Sequence, residues 1–247
     1  MAYQKNRDRV REVLLKNGIV VVMNKKHVKK PEDLIKTMWE VYQAGYVAEA
    51  TFRIDAGILK EAMKELVRMQ EEAPDDRPFV LGCGSIINPN ELDQAIEMGF
   101  DMIVAPGNVM GGYGDGWEFI KRAQDENVFS APAILTPTEL QYFIERPDGL
   151  EPDAIKVFPA GVHGPGGIKT LLAPFVRERH EGRIIMPTGG VNIETGPKFQ
   201  EAIKSAGYLP VLGMSAPLKY VEDRSMPGDV DIIKKSLGLF KDKFKSA

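Results

Sequence analysis

Short apolar runs recur along the chain, and amphipathic stretches fill the intervals between them. The runs at 19–23, 47–52, 79–83, 102–105, 128–134, 154–158, 184–187 and 211–214 predict strands. Between them, apolar positions return at helical spacing near 31–44, 57–71, 89–98, 116–126, 137–146, 166–179 and 194–206. A first helix is expected before residue 17 and a last one near 229–245. Several helices carry start signals: Pro31 opens PEDLIKTMWE, Asn90 follows Pro89, and Thr136 precedes Pro137.

Strands separated by single helices call for parallel pairing through right-handed crossovers. Eight such units close a ring, so the pattern predicts an α/β fold, a TIM-type (β/α)8 barrel with an N-terminal helix and a C-terminal helical extension. An open doubly wound sheet meets the same periodicity. A dinucleotide fold is disfavoured, because GCGSIINP places glycines after a strand without a GxGxxG. No linker or low-complexity tract divides the chain, which predicts one domain over 1–247 with 217–247 as an extension. The glycine-rich NVMGGYGDGW (108–117) reads as a long loop over one barrel mouth, with Tyr113 and Trp117 as lid or oligomer contacts.

Composition narrows the partners. With 247 residues and 43% hydrophobic composition the chain can bury a sizeable core. Lys plus Arg (32) nearly balances Asp plus Glu (35), and no long basic run is available to track nucleic acid. The single cysteine, Cys83, excludes an internal disulfide and reads as a buried small hydrophobe, in keeping with a reducing cytoplasm. The first apolar run is followed directly by NKKHVKK, so neither a secretory leader nor a membrane span is expected. Three scattered histidines suggest no metal site: His27 and His180 are expected at the surface, and His163 near the mouth.

Two strands carry unusual residues. In VAEATFR, alternation turns Val47, Glu49, Thr51 and Arg53 one way and Ala48, Ala50 and Phe52 the other. Helices cover the outside of a barrel, so the small and aromatic set belongs outside and Glu49 with Arg53 inside, near the C-terminal mouth. A buried acid is costly unless paired or used, and Glu49 fits a catalytic role or a structural ion pair equally well. In DAIKVFPAG, Lys156 shares a face with Phe158 while Ile155 and Val157 face the other way. A lysine desolvated there loses proton affinity and can attack a ketone; it can also reach back to the mouth or pair with Glu49 for structure alone.

The remaining strand ends favour anions. IMPTGG, LGCGS, HGPGG and LGMS expose backbone N–H groups beside hydroxyls, and Gly166, Gly167, Gly189, Gly190, Gly213 and Ser215 are positioned to enclose a phosphate. Any single glycine among them is better explained as conformational, and it is their repetition at the ends of successive late strands that raises the ligand reading. Asp55 reads as a helix cap.

The ordered set IVVVMNKK, EATFR, GCGSIINP, APG, IKVFPA, PTGG and GMS resembles the class I 2-keto-3-deoxy-6-phosphogluconate (KDPG) and 4-hydroxy-2-oxoglutarate (KHG) aldolases over roughly residues 10–216. The resemblance implies that Lys156 forms the Schiff base and that Glu49 acts through water as general acid and base. It implies that Arg53 and Ser85 hold the pyruvate carboxylate, that Thr136 and Thr188 line the pocket, and that Gly189, Gly190 and Ser215 lie on the phosphate side. It further implies a keto sugar acid substrate cleaved to pyruvate and an aldehyde, a homotrimer, and no cofactor or metal. The chain departs from the family pattern at Gly161, where many members carry glutamate, in the lead into HGPGG, at Met214 in place of a common glycine, and in the length of 107–117 and 217–247. Cleavage of 4-hydroxy-2-oxoglutarate or an unphosphorylated sugar acid is the nearest alternative. A phosphate-binding barrel performing isomerisation or decarboxylation without a covalent adduct, and a non-catalytic sugar-phosphate binder, complete the alternatives.

Overall fold

The structure is a computed structural model that describes residues 4–107, 117–145, 150–175, 180–219 and 227–246. Strands β1 (Ile19–Met23), β2 (Val47–Thr51), β3 (Leu81–Gly84), β4 (Met102–Val104) and β5 (Phe129–Ala131) pair in parallel in that order. β10 (Leu212–Met214) pairs with the free side of β1. A second parallel sheet runs β6 (Ala133–Ile134), β7 (Ala154–Val157), β8 (Ile184–Pro187) and β9 (Leu209–Pro210).

The two sheets are one ring. β5 and β6 are a single strand interrupted at Pro132, which has no N–H to give to the ladder but whose carbonyl accepts from Lys156 N at 2.9 Å. β9 and β10 likewise flank Val211, whose N–H donates to Ile185 O at 3.1 Å, while a bridge joins Thr188 to Gly213. Eight strands therefore form a curled, parallel (β/α)8 barrel.

Helices α1 (Arg7–Asn17), α2 (Pro31–Gln43), α3 (Ala56–Glu71), α4 (Pro89–Glu97), α5 (Trp117–Asp125), α6 (Pro137–Ile144), α7 (Gly164–Leu172), α8 (Gly196–Ser205) and α9 (Val230–Ser246) are the described helices. Their starts follow local chemistry. Asp55 accepts from Gly57 N and Ile58 N at the head of α3, and Asn88 caps α4 ahead of Pro89. α1 ends at Gly18, whose φ of 70° is the left-handed C-cap conformation that glycine adopts without a Cβ clash.

Burial separates two apolar layers. Ala48, Ala50, Leu81, Cys83, Ile155, Val157 and Ile185 face outward against the helices. Val20, Val47, Met102, Phe129, Ala154 and Ile184, the inward residues at the strand starts, form an inner layer with Val10, Val13 and Leu14 of α1. α1 thus plugs the N-terminal end of the barrel, each buried aliphatic contributing about 1.5–3 kcal/mol as an upper estimate. At the other end of the chain, α9 docks through Phe240 and through Ser236 Oγ, which donates to Pro217 O at 2.6 Å.

The differences from the sequence reading are local. The run at 128–134 splits at Pro132, and α7 starts at Gly164 and ends at Leu172. His180, expected at the surface, is buried and meets Glu145 Oε1 at 3.0 Å beside the Phe175 ring. The expected lid at 108–116, the side chain of Trp117 and residues 220–226 of the extension lie outside the described residues. No helix among the described residues is long and apolar enough to cross a membrane.

Candidate active site

The inner layer changes character toward the C-terminal ends of the strands. On β2 the inward series runs Val47, Glu49, Thr51, and on β7 it runs Ala154, Lys156. Glu49 is 3% exposed and Lys156 5%. Burial pushes the Glu49 carboxyl above its ordinary range, opposed by the positive charge of Lys156. Burial likewise lowers the proton affinity of Lys156, opposed by the charge of Glu49.

The two groups sense each other's charge, yet no direct ion pair joins them. The contact described for Lys156 Nζ is the face of Phe158, 4.8 Å from its centroid. A purely structural role for the lysine would call for a fixed partner, and this geometry leaves the nitrogen uncommitted. β7 itself is anchored on both sides, with Lys156 in register with Ala133 and Met186.

β3 makes room for the acid. Gly84 has no side chain, and a Cβ there would collide with Glu49 Oε1. Glu49 is in register with Gly82 and Thr51 with Gly84, so the Glu49 side chain leans along the strand until its carboxylate lies level with Thr51. The Thr51 hydroxyl is buried and has no hydrogen-bond partner among the described residues. Ser85 follows Gly84 with φ 63°, a left-handed conformation that costs a non-glycine residue on the order of 1–3 kcal/mol.

Arg53 departs from the expected inward set. β2 ends at Thr51, so alternation no longer governs Arg53, whose side chain is 46% exposed at the rim. Its Nη2 donates to Glu91 Oε1 on α4, and Glu91 Oε2 accepts from Ile87 N at 3.0 Å. Thr136 is also exposed: its hydroxyl forms a capping box with Glu139 at the head of α6. Thr188 is buried, and a Cβ on Gly213 would collide with its hydroxyl.

The glycines sort into two groups. Gly189 and Gly190 have φ of 78° and 85° after β8, and the chain crosses so closely there that a Cβ on Gly190 would sit 2.8 Å from Gly161 Cα. This crossing is held by Gly161 N donating to Gly189 O at 2.8 Å, which gives those glycines a structural reason of their own. Gly190 and Ser215 line a cleft of about 410 Å³ that also includes Asn192 and Glu194. Gly166 and Gly167 lie in the first turn of α7, where His163 reaches across to Leu135 O at 2.7 Å; a carbonyl only accepts, so His163 Nε2 carries the hydrogen.

A larger cleft of about 640 Å³ lies at the opposite end of the barrel, between α1 and the 75–80 segment. Its lysines and carboxylates are all exposed, whereas the desolvated base and acid are at the C-terminal mouth, so the chemistry belongs at the mouth. Glu91 and Thr51 are the two members of this constellation without a role in the sequence reading. Thr51 was signalled by its place on the Glu49 face, whereas nothing local in the sequence links Glu91 to Arg53.

A family model described as KDPG and KHG aldolase matches residues 10–209. The KHG/KDPG aldolase of Escherichia coli is 28% identical over 169 residues, covering 67% of each chain. The 2-dehydro-3-deoxy-phosphogluconate aldolase of Zymomonas mobilis is 25% identical over 168 residues, covering 66% of this chain and 72% of that one. Among solved structures, that of the Zymomonas mobilis ZM4 2-keto-3-deoxy-6-phosphogluconate aldolase with 3-phosphoglycerate superposes with a TM-score of 0.69 at 24% identity, covering 96% of this chain and 95% of the other, which supports the shared fold.

Proposed function

The chain belongs to the KDPG and KHG aldolase family, and from that premise we propose that it cleaves 2-keto-3-deoxy-6-phosphogluconate, or a close phosphorylated analogue, to pyruvate and glyceraldehyde 3-phosphate through a Schiff base at Lys156. The observation that carries this reading is a desolvated lysine of lowered proton affinity, without an ion-pair partner among the described residues, beside a buried carboxyl.

In this mechanism the neutral Lys156 amine attacks the C2 ketone and water leaves, giving an iminium. Glu49 takes the proton of the C4 hydroxyl through water as the C3–C4 bond breaks; the bonding electrons flow into the iminium and leave the enamine of pyruvate. The same carboxyl then returns a proton to C3, and hydrolysis releases pyruvate. A raised carboxyl pKa suits a group that must give and take protons near neutral pH. The iminium is the electron sink, so the mechanism requires no metal or cofactor.

Arg53 and Ser85 are assigned to the carboxylate at the rim, with Thr188 lining the approach and Thr136, its hydroxyl engaged with Glu139 as the cap of α6, at the edge of it. The phosphate is assigned to the backbone N–H groups around Gly166, Gly167, Gly189, Gly190 and Gly213 with the Ser215 hydroxyl. We take 1–247 as one domain with 217–247 as an extension, and a homotrimer as its assembly.

One feature favours a second substrate. Glu194 lines the cleft shared by Gly190 and Ser215 and places a carboxylate beside the assigned phosphate site, which fits an unphosphorylated sugar acid better than a substrate with a second anionic group, whether a phosphate or the distal carboxylate of 4-hydroxy-2-oxoglutarate. Pyruvate release from a panel of phosphorylated and unphosphorylated 2-keto acids decides between them. A kcat/KM higher by tenfold or more for the phosphorylated member supports the first reading. Equal values move the substrate to the unphosphorylated class, and no pyruvate from any member contradicts aldol cleavage.

A further inference from the structure

The Thr51 hydroxyl is 7% exposed by residue, lies on the reacting face of β2, and has no partner. A buried hydroxyl left unbonded destabilises a protein relative to a valine of the same shape. Its neighbours explain why nothing among the described residues satisfies it. The residue in register on β3 is Gly84, which offers no side chain, and the residue across β1 register faces Ala50 rather than Thr51.

The Glu49 carboxylate rises to the level of this hydroxyl, because its Oε1 occupies the region that a Gly84 Cβ would fill. The two groups are nevertheless not hydrogen-bonded. A hydroxyl that both donates and accepts, at the same height as a carboxyl that must relay protons, is suited to hold one oxygen between them.

Building on the aldolase reading above, we propose that Thr51 is a further ligand contact: its hydroxyl binds the oxygen that exchanges protons with Glu49, either the relay water or the C4 hydroxyl of the substrate. The two sources share one chemistry, a neutral hydroxyl oxygen on the Glu49 side of the Lys156 imine. Thr51 holds this oxygen in line and transfers no charge itself.

The test compares Thr51→Val, which keeps shape and removes the hydroxyl, with Thr51→Ser, which keeps the hydroxyl. Three readouts are followed: cleavage rate, borohydride-trapped pyruvate adduct by intact mass, and deuterium exchange at C3 of pyruvate. Thr51→Val is expected to cleave roughly 10- to 100-fold more slowly while still forming the adduct, with a melting temperature equal to or above that of the parent protein. Thr51→Ser should recover most of the rate.

Slowed C3 exchange in Thr51→Val identifies the bound oxygen as water, since pyruvate has no C4 hydroxyl; unchanged exchange identifies the C4 hydroxyl. Full cleavage by Thr51→Val overturns the contact, as does a lowered melting temperature, which would mean that the hydroxyl serves the protein. If the unsubstituted protein forms no adduct, the aldolase reading fails and this contact with it; an adduct with full Thr51→Val cleavage overturns the contact alone.

Discussion

The two ends of the barrel interior are built on opposite rules. At the N-terminal end Val20, Val47, Phe129, Ala154 and Ile184 close on Val10, Val13 and Leu14 of α1 in an apolar layer. At the C-terminal end, two to four residues further along the same strands, Glu49, Thr51 and Lys156 are buried without direct partners among themselves. One end lowers the free energy of the fold, and the other raises it by desolvating groups that are left uncommitted. The comparison teaches that the plug at one end supplies stability that the reactive mouth costs at the other, so substitutions at the two ends should separate stability from activity.

The sharpest separation is expected at Glu49. Glu49→Gln should lower cleavage by roughly 10²- to 10⁴-fold, measured as pyruvate release, while still allowing adduct formation. It should also lower the proton affinity of Lys156 further, because the carboxylate charge is what opposes the effect of burial there. At the plug, Leu14→Ala should destabilise the fold by about 2–5 kcal/mol in denaturant titration and leave kcat per folded molecule within about twofold. A plug variant that lost activity without losing stability would break the division.

The pH dependence sharpens the same contrast. Imine formation needs the free amine, so its rate should rise with pH with a midpoint below the ordinary lysine value of 10.5. Between that lowered value and 10.5 the unfolded chain binds more protons at Lys156 than the folded one, so this group's contribution to stability rises with pH. Glu49 acts in the opposite sense: between 4.5 and its raised value the folded state holds the extra proton, and stability falls as pH rises. Lys156→Met should remove the first dependence, read as the pH profile of the melting temperature.

The smallest effect is expected at the rim. Glu91→Ala frees Arg53 from its described carboxylate partner, and a partly exposed pair of this kind contributes up to about 1 kcal/mol. KM for the keto acid should rise by roughly two- to fivefold with kcat little changed. An unchanged KM would show that Arg53 needs no positioning by α4.

Much of this organisation was legible in the sequence because the side-chain alternation of a strand and the two-sided burial of a barrel sheet are local signals. The inward placement of Glu49 and Lys156 followed from Ala48 and Ala50, Ile155 and Val157, and those four residues do pack against the helices. The same rule overreached at Arg53, since alternation holds only as far as the ladder, which stops at Thr51. Thr136 shows a second limit: a threonine ahead of a proline-started helix carries a capping signal of its own, and its hydroxyl takes that role with Glu139. His180 illustrates a third, because its charged neighbours in sequence say nothing of Phe175 and Glu145, which meet it only in the fold. The Arg53 to Glu91 pair is likewise a tertiary contact, between a turn after β2 and the first turn of α4.

The most direct test of the central claim is the intact mass of the protein after incubation with pyruvate and borohydride, with Lys156→Ala alongside. The account predicts one added pyruvyl group per chain in the unsubstituted protein and none in Lys156→Ala that retains its fold; an equal adduct in both, or pyruvate release without any adduct, would contradict a Schiff base at Lys156.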